Sequence, residues 1–177
     1  MTTRPTSSRL VSFGIGVLIL VGATMAVNRL PVLIQGDLLR EYDSFDAVST
    51  GLPALPIYVP SYYPQDLRWP PSRILAQGRP FPAVLMEFQG RQSRRTVLVI
   101  SQSARGTFSP DDKVRIAKVR ERTSYLLKGR DARLEVGVCG DGATCSRIAW
   151  TEGAYRIDVT GKSAPLELIR VAESMIR

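Results

Sequence analysis

The chain has 177 residues, of which 44% are hydrophobic and 23% charged, as expected for one folded domain with an appendage and not for a disordered chain. Its formal net charge of +8 favours contact with anionic lipid headgroups, nucleic acid or acidic proteins. The chain contains no histidine and no glycine-rich phosphate loop, which excludes Ser-His-Asp and Cys-His catalysis, histidine-ligated zinc, C-x-x-C-H haem attachment and the common nucleotide-binding motifs.

An uncharged segment lies near the N-terminus, where residues 10–27 read LVSFGIGVLILVGATMAV. Its length is at the short end of the range for a transmembrane helix. Arg4 and Arg9 precede it, so the positive-inside rule predicts a cytoplasmic tail at residues 1–9 and an exported C-terminal part. Cleavage as a signal peptide near residues 24–26 is the alternative. We favour a retained anchor, because apolar character resumes with LPVLI, and therefore predict a single-pass inner-membrane protein with a periplasmic domain.

Residues 28–52 follow as a juxtamembrane stalk, in which DLLREY is compatible with a short helix. Residues 53–82 then hold eight of the twelve prolines, which predicts an extended, turn-rich path because proline lacks an amide donor and fixes φ. Aromatic side chains are interleaved with these prolines. Packing on a sheet is favoured for them over a partner-recognition surface.

Alternating apolar residues predict strands after this segment. Val84 and Met86 begin one strand, and a turn near residues 90–93 leads to TVLVI; we expect Met86 to oppose Val97 and Val84 to oppose Val99. Residues 109–128 are ambiguous. Their start, SPDD, resembles a helix N-terminus, whereas the later alternation favours a strand. We favour the strand.

The C-terminal third predicts two hairpins and a helix. Cys139 and Cys145 enclose GDGAT, a turn composition that predicts a disulfide, with two free thiols as the alternative. Pairing the cysteines directly places Leu134 opposite Trp150, and a turn at residues 152–153 places Trp150 opposite Tyr155. Ser163 and Pro165 then predict a helix start.

Together these elements predict an α+β fold. It consists of an N-terminal transmembrane helix, an antiparallel sheet of about five to six strands, and a C-terminal helix packed on one face of the sheet. The extracytoplasmic domain is assigned to residues 53–177.

The end of the chain resembles a known family. The motifs are KGRDARLEV, RIAWTEGAYRIDVTG and SAPLELIRVAESM, together with the opening IYVPSYYP at residues 57–64. They are similar to the C-terminal domain of MucB/RseB-type regulators of envelope-stress anti-sigma factors. The resemblance implies regulation or interaction, and it carries no catalytic residue. A full regulator of that family has a larger domain where this chain has a short apolar segment.

A basic stretch lies between Arg91 and Arg133, where twelve basic and four acidic residues give a net charge of +8. It is interpreted either as a solvated face or as a docking face for an acidic partner or the anionic membrane surface. Nucleic-acid binding is not expected of an exported domain without a recognised motif. The predicted partner-binding residues are Arg94, Arg95, Arg115, Lys118, Arg120 and Arg122.

These observations predict a membrane-anchored interaction or regulatory module that binds another envelope protein. An accessory single-pass subunit of a larger membrane complex, for example a respiratory one, is the alternative. A carboxylate-dependent enzyme is a less favoured class, with scattered candidates at Glu87, Glu135, Asp141 and Glu152. We predict no enzymatic activity, no cofactor and no metal.

Overall fold

Eight antiparallel strands and two short helices make up residues 39–110 and 113–176, the part of the chain that the computed structural model describes. The strands are β1 (Arg40–Tyr42), β2 (Arg73–Gln77), β3 (Ala83–Gln89), β4 (Thr96–Ser103), β5 (Ile116–Leu127), β6 (Arg130–Cys139), β7 (Thr144–Glu152) and β8 (Tyr155–Gly161). The helices are α1 (Phe45–Gly51) and α2 (Pro165–Met175).

One sheet contains all eight strands, in the order β1-β2-β3-β4-β8-β7-β6-β5. It consists of two four-stranded meanders, β1–β4 and β5–β8, joined where β4 pairs with β8. Strands β1 and β5 are therefore the two edges. We call the end that carries the β3–β4 turn and the β6–β7 hairpin the lower end, and the opposite end, with the β5–β6 and β7–β8 turns, the upper end.

The predicted fold class is wrong. The described chain is mainly β, with eight strands in place of the five to six that were predicted. The prediction missed β1, which has only three residues, too few to show alternation. It also missed β2, which occupies a short proline-free interval of the proline-rich segment. No helix within residues 39–110 and 113–176 is long and apolar enough to cross a membrane. The predicted anchor at residues 10–27 lies outside the described residues.

Residues 39–52, assigned above to a stalk, belong to the compact unit that begins at Leu39. Arg40–Tyr42 forms β1 and pairs with β2, so it is not helical. Ser44 then caps α1, with its hydroxyl accepting a hydrogen bond from the Ala47 amide at 3.1 Å. The ambiguous stretch is a strand over Ile116–Leu127, as we favoured.

The two faces of the sheet are covered differently. On the helix face, α2 packs over β7 and β8, and Trp150 and Ile157 lie buried near Leu168. On the opposite face, which we call the loop face, the β4–β5 connection packs Phe108 and Val114 into a smaller apolar cluster. The predicted helix cap differs slightly: Ala164, not Ser163, is the N-cap, with Pro165 at the first helical position.

The observed registers differ from the predicted ones. Leu134 opposes Ile148, and Trp150 opposes Ile157, each a slip of two residues. Met86 opposes Ile100 instead of Val97, a slip of three, and a bulge follows Phe88. The physical reasons lie in the turns and bulges, which set how far each strand slides past its neighbour.

Candidate interaction surface

Strand β5 is exposed on both faces and forms one edge of the sheet. The side chains of residues 117–124 are all exposed, and only Leu127 at the upper end is buried, near α2. Bulges interrupt its register with β6 between Ile116 and Lys118 and again between Val119 and Glu121. Apart from Ile116, which packs against the apolar cluster beneath the β4–β5 connection, the side chains of the lower half of β5 lie outside the core and are available to another molecule.

The six predicted partner-binding residues fall into two groups at the lower end. Arg115, Lys118, Arg120 and Arg122 belong to β5 or immediately precede it, whereas Arg94 and Arg95 lie in the β3–β4 turn. Four inter-strand spacings, or roughly 19 Å, separate the two groups. The sequence alone could not show this separation, because it depends on the order β4-β8-β7-β6-β5.

Lys113, which the sequence analysis did not single out, connects the two groups. It lines one surface depression together with Arg94 and Arg95, and a second one together with Arg115. We define the basic belt as this lower-end series of cations: Arg94, Arg95, Lys113, Arg115, Lys118 and Arg120.

Members of the basic belt differ in their ionic partners. Among the described residues, the exposed side chains of Arg94, Arg95, Lys118 and Arg120 form no ion pair. Lys113 differs, because its Nζ lies 2.8 Å from Oε2 of the buried Glu87. Within the basic belt, these four cations therefore have charge to offer a partner.

Arg122 belongs to an internal network instead of the basic belt. Its Nε lies 2.8 Å from Glu135 Oε1. Arg147 contacts two carboxylates, that of Glu135 at 3.8 Å and that of Asp158 at 2.5 Å. Arg156 completes the alternating row at 3.0 Å from Asp158. Because Glu135 and Asp158 are buried, and a buried carboxylate without a cation is costly, this row stabilises the fold. Apart from Arg156, the members of this row line a cleft of about 490 Å³ on the loop face.

The four candidate catalytic carboxylates are dispersed over the structure, and each faces a cation. Glu87 contacts Lys113, Glu135 contacts Arg122, Asp141 contacts Lys162, and Glu152 contacts Arg130. The hydrogen bond from Lys162, at 2.6 Å, and that from the Ala143 amide lower the pKa of Asp141. Within the described residues, no group of three or more acidic or cysteine side chains is arranged to hold a metal ion.

Residues 57–69 of the proline-rich segment pack on the helix face, whereas Phe81 packs against Phe108 on the loop face. Tyr63 and Trp69 lie with ring centroids 4.4 Å apart, and Trp69 stacks near Phe88 at 6.1 Å. Burial raises the pKa of Tyr63. The buried Gln102 holds the segment through two hydrogen bonds with the Tyr58 backbone. These contacts favour the core-packing interpretation, although Trp69 keeps 47% of its surface exposed.

Cys139 and Cys145 are brought to disulfide distance, with Cα atoms 5.4 Å apart, so the geometry confirms this part of the prediction. Both side chains are buried on the loop face beside the β4–β5 connection.

Comparisons with protein-family models, with curated proteins and with solved structures found no match to this chain. The resemblance to MucB/RseB-type regulators therefore stays a prediction drawn from the sequence.

Proposed function

We propose that residues 39–176 form an interaction module that binds an acidic envelope protein through the basic belt. The observation that carries this proposal is the set of four exposed cations without an ion pair among the described residues, all at the lower end of the sheet. The cations that the fold uses are paired with its buried carboxylates, as at Glu87, Glu135 and Asp158, and these four are not among them.

The clustered cations of the basic belt raise the free energy of the unbound domain. Cations gathered at one end of a small domain repel one another, and this repulsion is relieved when an anionic surface covers them. Exposed charges contribute more to association rate and partner choice than to folding. The basic belt therefore has a stronger physical rationale in binding than in stability.

The compartment is proposed on separate grounds. The uncharged segment at residues 10–27 follows two arginines, and the cysteines lie at disulfide distance, which suits an oxidising compartment. We therefore propose an inner-membrane anchor, a cytoplasmic N-terminus and a periplasmic domain. Tethering would hold the basic belt near other envelope proteins and raise its effective concentration toward them.

Charge reversal tests the proposal directly. The triple variant Arg94→Glu, Lys118→Glu, Arg120→Glu removes three unpaired charges and leaves the internal network intact. We expect the full-length variant to keep its melting temperature within about 3 °C, since exposed charges away from such networks change stability little. Co-purification of the partner from crosslinked membranes should be lost.

The matched control reverses three cations at the upper end. Arg40, Arg79 and Arg105 are also exposed and form no ion pair among the described residues. Their triple Glu variant changes the net charge by the same amount as the belt variant. It should retain the partner, because these three residues lie outside the basic belt. Equal loss in both variants would mean that total charge, and not the basic belt, determines binding. Retention by both would remove the proposal.

A further inference from the structure

The outer edge of β5 is unpaired in the described part of the chain. β5 pairs with β6 on one side and with no strand on the other. The opposite edge strand, β1, is three residues long, whereas β5 has twelve. A long exposed edge presents a row of free amide and carbonyl groups to which a second strand can bond, and proteins usually shorten or cover such edges.

The upper half of β5 has the regular geometry that strand addition needs. Both bulges lie in the lower half, and residues 122–127 pair with β6 in continuous register. Six residues match the length of an average strand. A strand added here would meet evenly alternating donors and acceptors.

The side chains of β5 favour an added strand that carries acidic residues at one end and an apolar residue at the other. Leu126 is 67% exposed, and Lys118 and Arg120 at the other end of the strand are exposed cations without an ion pair among the described residues. An adjacent strand would therefore have an apolar neighbour at one end and cations at the other. Glu121 offsets only part of that positive charge.

We infer that an extended acidic segment of the partner adds to the sheet beside residues 122–127, with carboxylates near Lys118 and Arg120 and an apolar side chain near Leu126. This binding mode rests on the proposed function and names its partner class. A second copy of β5 fits poorly, because β5 carries three basic residues and Glu121 as its one acidic residue, so it supplies too few carboxylates for Lys118 and Arg120.

The probe is a synthetic peptide of about ten residues, alternating glutamate or aspartate with valine and threonine, with blocked ends. It is added to the full-length chain in detergent micelles, and amide hydrogen exchange is followed at single residues. Strand addition predicts slower exchange at every second amide of residues 122–127, with β1 unchanged. A peptide carrying N-methyl groups on alternate amides keeps the charge but cannot form the ladder; it should bind at least about tenfold more weakly.

A side-chain variant provides a second readout. Leu126→Asp should keep the melting temperature, because the side chain is exposed, and should weaken peptide binding several-fold by repelling its carboxylates. Leu166→Asp is the matched control, since Leu166 is 73% exposed in the first turn of α2, whereas it is the Ile176 carbonyl, beyond the other end of α2, that lies near Lys128 at the β5–β6 turn. It should bind the peptide as the unchanged chain does.

Two results would overturn strand addition. In the first, both peptides bind equally and the exchange of β5 amides is unchanged, which means that side-chain charge alone holds the peptide; the proposed function would then stand without this mode. In the second, neither peptide binds. The proposed function is tested separately by the belt variants, whose readout is capture of the natural partner and does not involve the peptide.

Discussion

Single residues show how the sheet combines apolar burial with paired polar groups. Gln102 is fully buried, yet its amide exchanges two hydrogen bonds with the Tyr58 backbone and so satisfies both of its polar atoms. Asp158 is buried and held by Arg147 and Arg156. Two buried polar atoms have no hydrogen-bond partner in the part of the chain that the structure describes: the indole N–H of Trp150, and Glu87 Oε1, which lies 3.6 Å from Arg73 Nη1.

Replacing Trp150 measures the helix-face core. The side chain is 3% exposed and lies between Ala132 on β6 and Ile157 on β8. We expect Trp150→Ala to lower the free energy of unfolding by about 3–5 kcal/mol, as truncation of a large buried aromatic usually does. Trp150→Phe should cost less, since it keeps a ring and removes an unpaired donor. Chemical denaturation checks both; a loss below about 1 kcal/mol for the alanine variant would show that the face is not packed.

Tyr63 predicts how stability changes at alkaline pH. Burial raises its pKa in the folded state, so the folded chain keeps this proton after the unfolded chain has begun to lose it near about pH 10. The stabilisation from the protonated Tyr63 is therefore fully present below the pKa that tyrosine has in the unfolded chain, and it declines as pH rises above that value. Between about pH 9 and about pH 11, the melting temperature of the Tyr63→Phe variant should fall less than that of the unchanged chain. Equal losses would show that Tyr63 does not titrate in this way.

At the scale of elements, the apolar pattern predicted the sheet face of most strand residues correctly, but it did not predict which residue of the neighbouring strand each one opposes. Trp150, Ile148 and Leu134 share one face as expected, although each hairpin is displaced by two residues. A slip of two leaves every side chain on its face, so an apolar pattern cannot detect it. In the β3–β4 pair the slip is three, which moves Val99 to the loop face.

The turns explain why the register was not predictable from apolar pattern. In the β6–β7 hairpin the Cys139 amide donates to the Ala143 carbonyl at 2.8 Å, which closes a loop of residues 140–142 with Gly142 at φ 84°. Only glycine adopts this conformation without strain. The cysteines consequently lie diagonally, Gly137 opposing Cys145, and not directly across the ladder.

A disulfide between Cys139 and Cys145 should stabilise this hairpin. Closing so short a loop removes a modest amount of unfolded-state entropy, so reduction should lower the free energy of unfolding by about 2 kcal/mol. Intact-mass measurement after alkylation without reductant should show no added label. Two alkylated cysteines in the isolated protein would contradict the disulfide.

At the scale of the whole molecule, the candidate surface was predicted only in part. Charge counting along the sequence identified Arg94, Lys118 and Arg120, which are exposed and without an ion pair among the described residues. The six predicted partner-binding residues also included Arg122, which the structure assigns to the internal network, and left out Lys113, although Lys113 was counted in the basic stretch. Neither fact was accessible from sequence, because each depends on which strands lie side by side.

Cell fractionation together with sequencing of the N-terminus of the isolated protein tests where the domain is located. If residues 10–27 are a retained anchor, fractionation should place the chain in the inner-membrane fraction, and N-terminal sequencing should recover residues before position 10. Extraction should require detergent and resist high salt, since an apolar anchor is not held by charge. A soluble protein that begins near Val27 would contradict the anchor.

The salt dependence of partner capture by the full-length chain tests the central claim most directly. Charges at an exposed surface are screened over about 8–10 Å at physiological ionic strength, so binding through the basic belt should weaken steeply as salt rises. The Arg94→Glu, Lys118→Glu, Arg120→Glu variant should capture little partner at low salt, and the upper-end control variant should follow the unchanged chain. If the belt variant captures the same partner with an unchanged salt dependence, the basic belt is only a solvated surface.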